Sequence, residues 1–139
     1  MDDAAFEAEQ ERIRALMDRW WGRDFDILRG WKVKVIYQRH QGEQRDVSGE
    51  PWYCAASCSA DWRYLDATIT VYCQTTATLD DEELEETFVH ECCHVLTNEM
   101  REEGVEHEER VCTTVARALL DAREQGRQAA ALGPFEVYD

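Results

Sequence analysis

The chain has few basic residues and lacks a long apolar run. It contains 15 lysines and arginines against 30 aspartates and glutamates, so the formal net charge is −15 over 139 residues. A surface with this charge repels nucleic acid and anionic membranes, and we expect neither as a partner. An apolar run of about 18 residues is absent, and the first residues do not form a secretory signal. We therefore expect a cytoplasmic protein; the sequence does not indicate its oligomeric state.

The six cysteines lack the CxxC spacing that is typical of thiolate zinc sites. Without a secretory signal, reduced thiols that serve as small buried hydrophobic groups are the simplest interpretation. A redox protein that uses Cys92 or Cys93 is an alternative. A zinc site built from thiolates is another alternative, with four candidate ligands: Cys54, Cys58, Cys73 and Cys112.

The run His90-Glu91-Cys92-Cys93-His94 fits the HExxH pattern of zinc peptidases. Residues four apart share one face of a helix and lie about 6 Å apart along its axis, so both imidazoles can reach one ion. A glutamate between them projects beside the open coordination position, where it can take a proton from bound water. The pattern predicts His90 and His94 as zinc ligands and Glu91 as the general base.

The residues around this motif predict a helix from about Asp81 to Asn98. Asp80 is suited to the N-cap, and Glu83 follows three residues later, as in a capping box. Apolar side chains recur at helical spacing beside the histidines: Leu84, Phe88, Cys92, Val95 and Leu96. One edge of this helix should pack against the core, and the adjacent edge should carry the metal.

A catalytic zinc site usually has three protein ligands and a water molecule, so one more ligand is needed. A second helix is predicted to open in the segment that follows Gly104, and its apolar stripe points back to Glu108. A buried carboxylate needs a compensating charge, which zinc would supply. The helix phase ranks the candidates as Glu108, then Glu109, then His107. A solvated acidic first turn is the alternative for the glutamates.

The motifs VHECCHVL and EHEERVCTTVARALL resemble those of small gluzincin metallopeptidases, especially phage and mobile-element proteins related to the ImmA-like and SprT-like peptidases. The resemblance covers roughly residues 31–122. It implies a zinc peptidase whose third ligand is the glutamate of EHEERV, and it implies that the free protein can be latent without a partner. The chain departs from the family pattern four residues after the two glutamates, where Cys112 and Thr113 stand in place of acidic residues.

The fold class predicted is α+β, as one minimal zincin-like domain over residues 1–126 and a loosely ordered tail over residues 127–139. An N-terminal helix is expected at Ala4–Trp21, and a polar loop at residues 38–51. The sheet should be small and mainly antiparallel, with about three to four strands. Apolar alternation indicates three of them: Trp31–Tyr37, Trp52–Ser59 and Ala67–Tyr72.

The predicted function is zinc-dependent hydrolysis of peptide bonds in a protein or peptide substrate. The strand Ala67–Tyr72 would bind that substrate by strand addition at its edge, unless it is an interior strand. Spacing alone does not place the residue that stabilises the oxyanion, for which His107 and Tyr72 are the candidates. The competing function is a non-catalytic, strongly acidic protein-interaction module with a structural or vestigial zinc site.

Overall fold

The computed structural model describes residues 1–21, 26–104 and 106–132, without the side chain of Glu102. The described part of the chain begins and ends with helices, and short strands lie between them in sequence. In chain order the elements are α1 (Asp3–Met17), β1 (Lys32–Gln38), β2 (Glu43–Arg45), β3 (Pro51–Tyr53), β4 (Ala56–Asp61), β5 (Asp66–Tyr72), α2 (Cys73–Thr76), α3 (Asp81–Leu96), α4 (Asn98–Glu102) and α5 (Glu108–Ala131). The α+β class is confirmed.

The strands form two sheets. In the three-stranded sheet β5 lies in the centre, parallel to β1 and antiparallel to β4. Strands β2 and β3 form a separate antiparallel hairpin, and all of their residues are exposed. The main sheet is therefore mixed, and the prediction of a mainly antiparallel sheet is correct only for the β4–β5 pair and the hairpin. Apolar alternation is typical of antiparallel sheets with one exposed face, but the partly exposed edge strand β1 begins with this alternation and still pairs in parallel.

Two predictions about the strands are wrong, and for a third strand the structure selects between two alternatives. The strand expected at Trp52–Ser59 is divided at Cys54 and Ala55, so its two halves belong to different sheets. The expected polar loop contains β2, which has no apolar alternation because both of its faces are exposed. For the strand at Ala67–Tyr72 the interior alternative is the one found, because β5 is paired on both sides. The edges of this sheet are β1 and β4 instead.

Helix α1 begins at the N-cap Asp2, whose side chain accepts a hydrogen bond of 2.7 Å from the backbone of Ala5. Its apolar face is buried against the sheet and α3, and the helix ends at Met17, earlier than predicted. The largest side chains that are almost fully buried include aromatic and aliphatic residues from α1, the following turn, the sheet and α3: Trp20, Ile13, Leu28, Ile69, Val89 and Val95. This core is the platform from which α3 presents its histidines.

Helix α3 confirms the local signals. Asp80 accepts a hydrogen bond of 2.8 Å from the backbone of Glu83, and the reciprocal contact completes the capping box. Most of the predicted apolar stripe is buried, but Leu96 is exposed, because the helix ends there and Thr97 separates it from α4. The predicted end at Asn98 is thus two residues too late.

Helix α5 starts at Glu108 and continues beyond Gly126 to Ala131. Residues 133–139, which make up most of the predicted tail, lie outside the described residues, so the boundary at residue 126 stays a prediction. Two buried residues, Cys112 and Ala116, anchor α5 against the core. Within the described residues, none of the helices is both long and apolar enough to cross a membrane.

Candidate metal centre

The candidate site lies where α3 packs against the first turn of α5. His90 and His94 project from α3, and Glu108 and Glu109 open α5. The residue before them, His107, has a left-handed backbone with φ of 69° and provides no side-chain cap. That conformation is uncommon outside glycine, and it turns the chain sharply into the helix. Both glutamates therefore start the helix facing the two histidines.

Three side chains converge on one point. The Nε2 atoms of His90 and His94 are 3.0 Å apart. One oxygen of Glu109 lies 2.7 Å from Nε2 of His90, and the other lies 2.9 Å from Nε2 of His94. An imidazole nitrogen without its proton and a carboxylate oxygen both offer lone pairs, and both are ligand atoms that zinc takes in proteins. When neither Nε2 atom carries a proton, the three groups face one another with lone pairs alone, and a cation between them would be favoured.

The donor set fits zinc. Four ligands at 2.0–2.1 Å in a tetrahedron would be separated from one another by about 3.3 Å. The two Nε2 atoms are 3.0 Å apart and the two oxygens of Glu109 lie 2.7 and 2.9 Å from them, so the side chains would move apart by up to about 0.6 Å to hold one ion. The two histidine side chains are 19% and 11% exposed, whereas that of Glu109 is 73% exposed. The outer side of the site is thus open to water or to a substrate, as a catalytic metal site requires.

Glu108 approaches the other nitrogen of His94. Its side chain is 11% exposed, so the predicted inward direction is confirmed, but its Oε1 lies 3.0 Å from Nδ1 of His94. The hydroxyl of Thr97 donates to the same oxygen at 3.2 Å, and the thiol of Cys112 lies 3.5 Å from Nδ1. These atoms also have the spacing of a metal site. Each of these atoms, however, has a hydrogen-bond donor or acceptor as its neighbour, so hydrogen bonds alone satisfy this second group.

The remaining nitrogen of the pair, Nδ1 of His90, lies 3.4 Å from the hydroxyl of Thr113. Cys112 and Thr113, the two departures from the family pattern, are therefore the residues beside the two Nδ1 atoms. The third candidate ligand, His107, is 68% exposed and lies 3.8 Å from Glu106. Among the described residues it joins neither metal-spaced group. The choice between Glu108 and Glu109 as third ligand stays a prediction.

Glu91 is partly buried beside this group, and this burial raises the pKa of its carboxyl to about 7. His94, the thiol of Cys58 and the guanidinium of Arg101 oppose the rise in pKa. A carboxyl group with this pKa can accept and release a proton near neutral pH, as a general base and acid must. The thiol of Cys58 on β4 borders the same carboxyl, and burial raises the thiol pKa to about 12, so it stays protonated.

The cysteines do not form the alternative sites. All six are free, and burial raises the pKa of each thiol, whereas reactive cysteines have a lowered pKa. In the described part of the chain the four proposed thiolate ligands do not form a metal-spaced group. Tyr72, a candidate for oxyanion stabilisation, lies with its hydroxyl 3.4 Å from Ser57 and its ring against His40.

Sequence reasoning missed Thr97 and Arg101. Thr97 follows His94 by three residues and therefore lies on the same helical face, so its contact with Glu108 beside His94 could have been predicted from the spacing. Arg101 brings its Nε within 3.5 Å of Glu108. Its position depends on the break between α3 and α4 at Thr97, and no local sequence pattern predicted that break.

Comparisons of the chain with protein-family models, with curated proteins and with solved structures found no match. The likeness to small gluzincins therefore remains an interpretation of the HECCH and EHEERV motifs.

Proposed function

We propose that this protein is a zinc-dependent metallopeptidase whose metal ligands are His90, His94 and Glu109. The observation that carries the proposal is the convergence of three acceptor groups within 3.0 Å of one another on the solvent side of α3. In this arrangement Glu108 does not contact the metal and accepts a hydrogen bond from Nδ1 of His94 at 3.0 Å. That contact leaves the Nε2 lone pair of His94 directed at the metal position.

Glu91 is the proposed general base. Zinc, when bound, would polarise the scissile carbonyl and activate a water molecule. Glu91 would accept the proton of the attacking water and deliver it to the leaving amine nitrogen. Its burial favours this role, because the protonated and the charged carboxyl are then close in free energy near neutral pH.

We assign the substrate to β4 in place of β5. Strand β4 is an edge of the three-stranded sheet and packs against α3, and its residue Cys58 borders Glu91. An edge strand can pair with an extended peptide through backbone hydrogen bonds. A peptide bound there would pass beside Glu91.

The test is elemental analysis of protein purified without added metal, combined with a peptidase assay on a mixed peptide library. The parent and the Glu91→Gln variant should each hold about one zinc per chain, and His94→Ala should hold none. Cleavage by Glu91→Gln should be slower by about 10²–10⁴-fold, because the metal stays bound while the base is lost.

Two results would contradict the proposal. Cleavage by Glu91→Gln at the parent rate would remove Glu91 from the mechanism. A parent that holds no zinc even after reconstitution would favour the acidic protein-interaction module, which needs no metal chemistry.

A further inference from the structure

The hairpin formed by β2 and β3 exposes two aromatic side chains. Trp52 and Tyr53 are each 50% exposed, and the remaining residues of both strands are exposed as well. Two-stranded hairpins are marginally stable without a packed face, so these rings are not explained by packing in the core. Exposed aromatic rings are typical of surfaces that bind another chain.

The root of the hairpin is fixed to the end of β5. Gly42, at φ of +66°, lies so close to Tyr72 that a Cβ atom there would be 2.5 Å from the ring. The backbone of Cys54 donates to the carbonyl of Gly42 at 3.1 Å. The hydroxyl of Tyr72 lies 3.4 Å from that of Ser57 on β4. The hairpin is therefore held beside the start of β4 and is not free to swing away.

The hairpin also lies close to the candidate site along the chain. Only Cys54 and Ala55 separate β3 from β4, and Cys58 borders Glu91. The six residues from Tyr53 to Cys58 span at most about 17 Å in extended form. A peptide that follows the edge of β4 would thus reach the hairpin within about five residues of the bond beside Glu91.

The two faces of the hairpin differ. Tyr53 pairs with Glu43, and on that face Glu43 and Arg45 form an ion pair of 3.1 Å. Trp52 pairs with Gln44 on the opposite face, where the described residues form no ion pair. Trp52 therefore offers the larger and less polar surface.

We propose that Trp52 binds a large apolar side chain of the extended peptide substrate, within about five residues of the cleaved bond. The inference rests on the proposed function and assigns the substrate class: a peptide with an apolar anchor at a fixed distance from the cleavage position. The net charge of −15 favours a neutral or basic segment around that anchor.

The experiment uses the zinc-loaded Glu91→Gln protein, which should bind peptide without cleaving it. Fluorescently labelled alanine–serine peptides about 12 residues long are titrated with this protein, and binding is followed by fluorescence anisotropy. Each peptide carries one lysine at a constant position and one phenylalanine whose position differs from peptide to peptide. We expect one phenylalanine position to bind best. Adding Trp52→Ala should lower the affinity for that peptide about tenfold, and it should leave the affinity for a peptide without phenylalanine unchanged.

Tyr64→Ala is the matched control. Tyr64 is an aromatic residue that is 72% exposed, but it lies in the turn at the far end of β4. This variant should bind every peptide as the Glu91→Gln protein does. Zinc content and circular dichroism should be the same in all variants, which excludes loss of the fold as the cause.

Three outcomes would overturn the inference: unchanged binding after Trp52→Ala, an equal loss for all peptides, or an equal loss with Tyr64→Ala. Self-association that is abolished by Trp52→Ala would also overturn it, because the partner of the ring would then be a second copy of the chain. If the protein holds no zinc and cleaves no peptide, the proposed function itself fails. If it holds zinc and cleaves peptides independently of Trp52, only this inference fails.

Discussion

Two clusters of polar side chains hold carboxylates between helices, and an arginine lies at the centre of only one of them. The first, the α1 clamp, consists of Glu9, Arg12, Thr76 and Asp81. Arg12 donates to Glu9 at 2.9 Å and to Asp81 at 2.8 Å. The hydroxyl of Thr76 donates to the same oxygen of Glu9 at 2.9 Å. Glu9 is 8% exposed, and its charge is balanced by the guanidinium.

The second, the His–Glu cluster, consists of His90, His94, Glu108 and Glu109. Its two carboxylates face imidazole nitrogens at 2.7–3.0 Å. The nearest guanidinium group among the described ion pairs is that of Arg101, 3.5 Å from Glu108, and it does not pair with Glu109. The protein thus supplies an arginine where a carboxylate is structural. Among the described ion pairs no arginine contacts the exposed carboxylate of Glu109, and this difference supports the proposed metal site.

The largest expected effect comes from replacing the exposed carboxylate of the His–Glu cluster. Glu109→Gln should lower zinc affinity by more than the roughly 10–100-fold that is typical of an outer-shell contact, because a direct ligand is lost. Glu108→Gln should cost only that 10–100-fold. Competition with a fluorescent zinc chelator would measure both affinities. The reverse order of the two variants would restore Glu108 as the third ligand.

The α1 clamp should respond in stability and not in metal binding. Arg12→Ala leaves the carboxylate of Glu9 buried with Thr76 as its remaining partner, and we expect the free energy of unfolding to fall by about 1–3 kcal/mol. Urea unfolding of the metal-free protein would measure the loss. Arg14→Ala, on the same helix, is the control. An Arg12→Ala variant with normal stability and impaired zinc binding would erase the distinction between the two clusters.

The smallest effect should come from Thr113, whose hydroxyl lies beside Nδ1 of His90. Thr113→Val keeps the shape of the side chain but removes this partner. We expect zinc affinity to fall by about tenfold, at the low end for an outer-shell contact. Thr87→Val on α3, whose hydroxyl bonds only its own helix backbone at 2.9 Å, is the control in the same chelator competition. No change in Thr113→Val would mean that water replaces the hydroxyl without cost.

The local parts of the fold were predictable from the sequence, and the long-range parts were not. The capping box at Asp80 and Glu83 depends on residues three apart, so the start of α3 could be read directly. The central position of β5 depends on its pairing with β1, which is remote in sequence, and alternation alone does not report it.

The candidate site divides in the same way. His90, Glu91 and His94 lie on one helix, so their spacing fixed their relation. The choice between Glu108 and Glu109 depended on where α5 begins and on the left-handed backbone of His107. The extrapolated helix phase predicted correctly that the side chain of Glu108 points inward. This inward side chain lies beside Nδ1 of His94, whereas the exposed Glu109 lies beside the two Nε2 atoms.

The parallel pairing of β1 with β5 also has a consequence for how the chain is assembled. Lys32 pairs with Asp66, a separation of 34 residues, whereas His94 and Glu108 are 14 residues apart. Closing the longer loop costs about 0.8 kcal/mol more chain entropy. Helices α3 and α5, like strands β4 and β5, are joined by short connections, so we expect the contacts that close the sheet between β1 and β5 to form last.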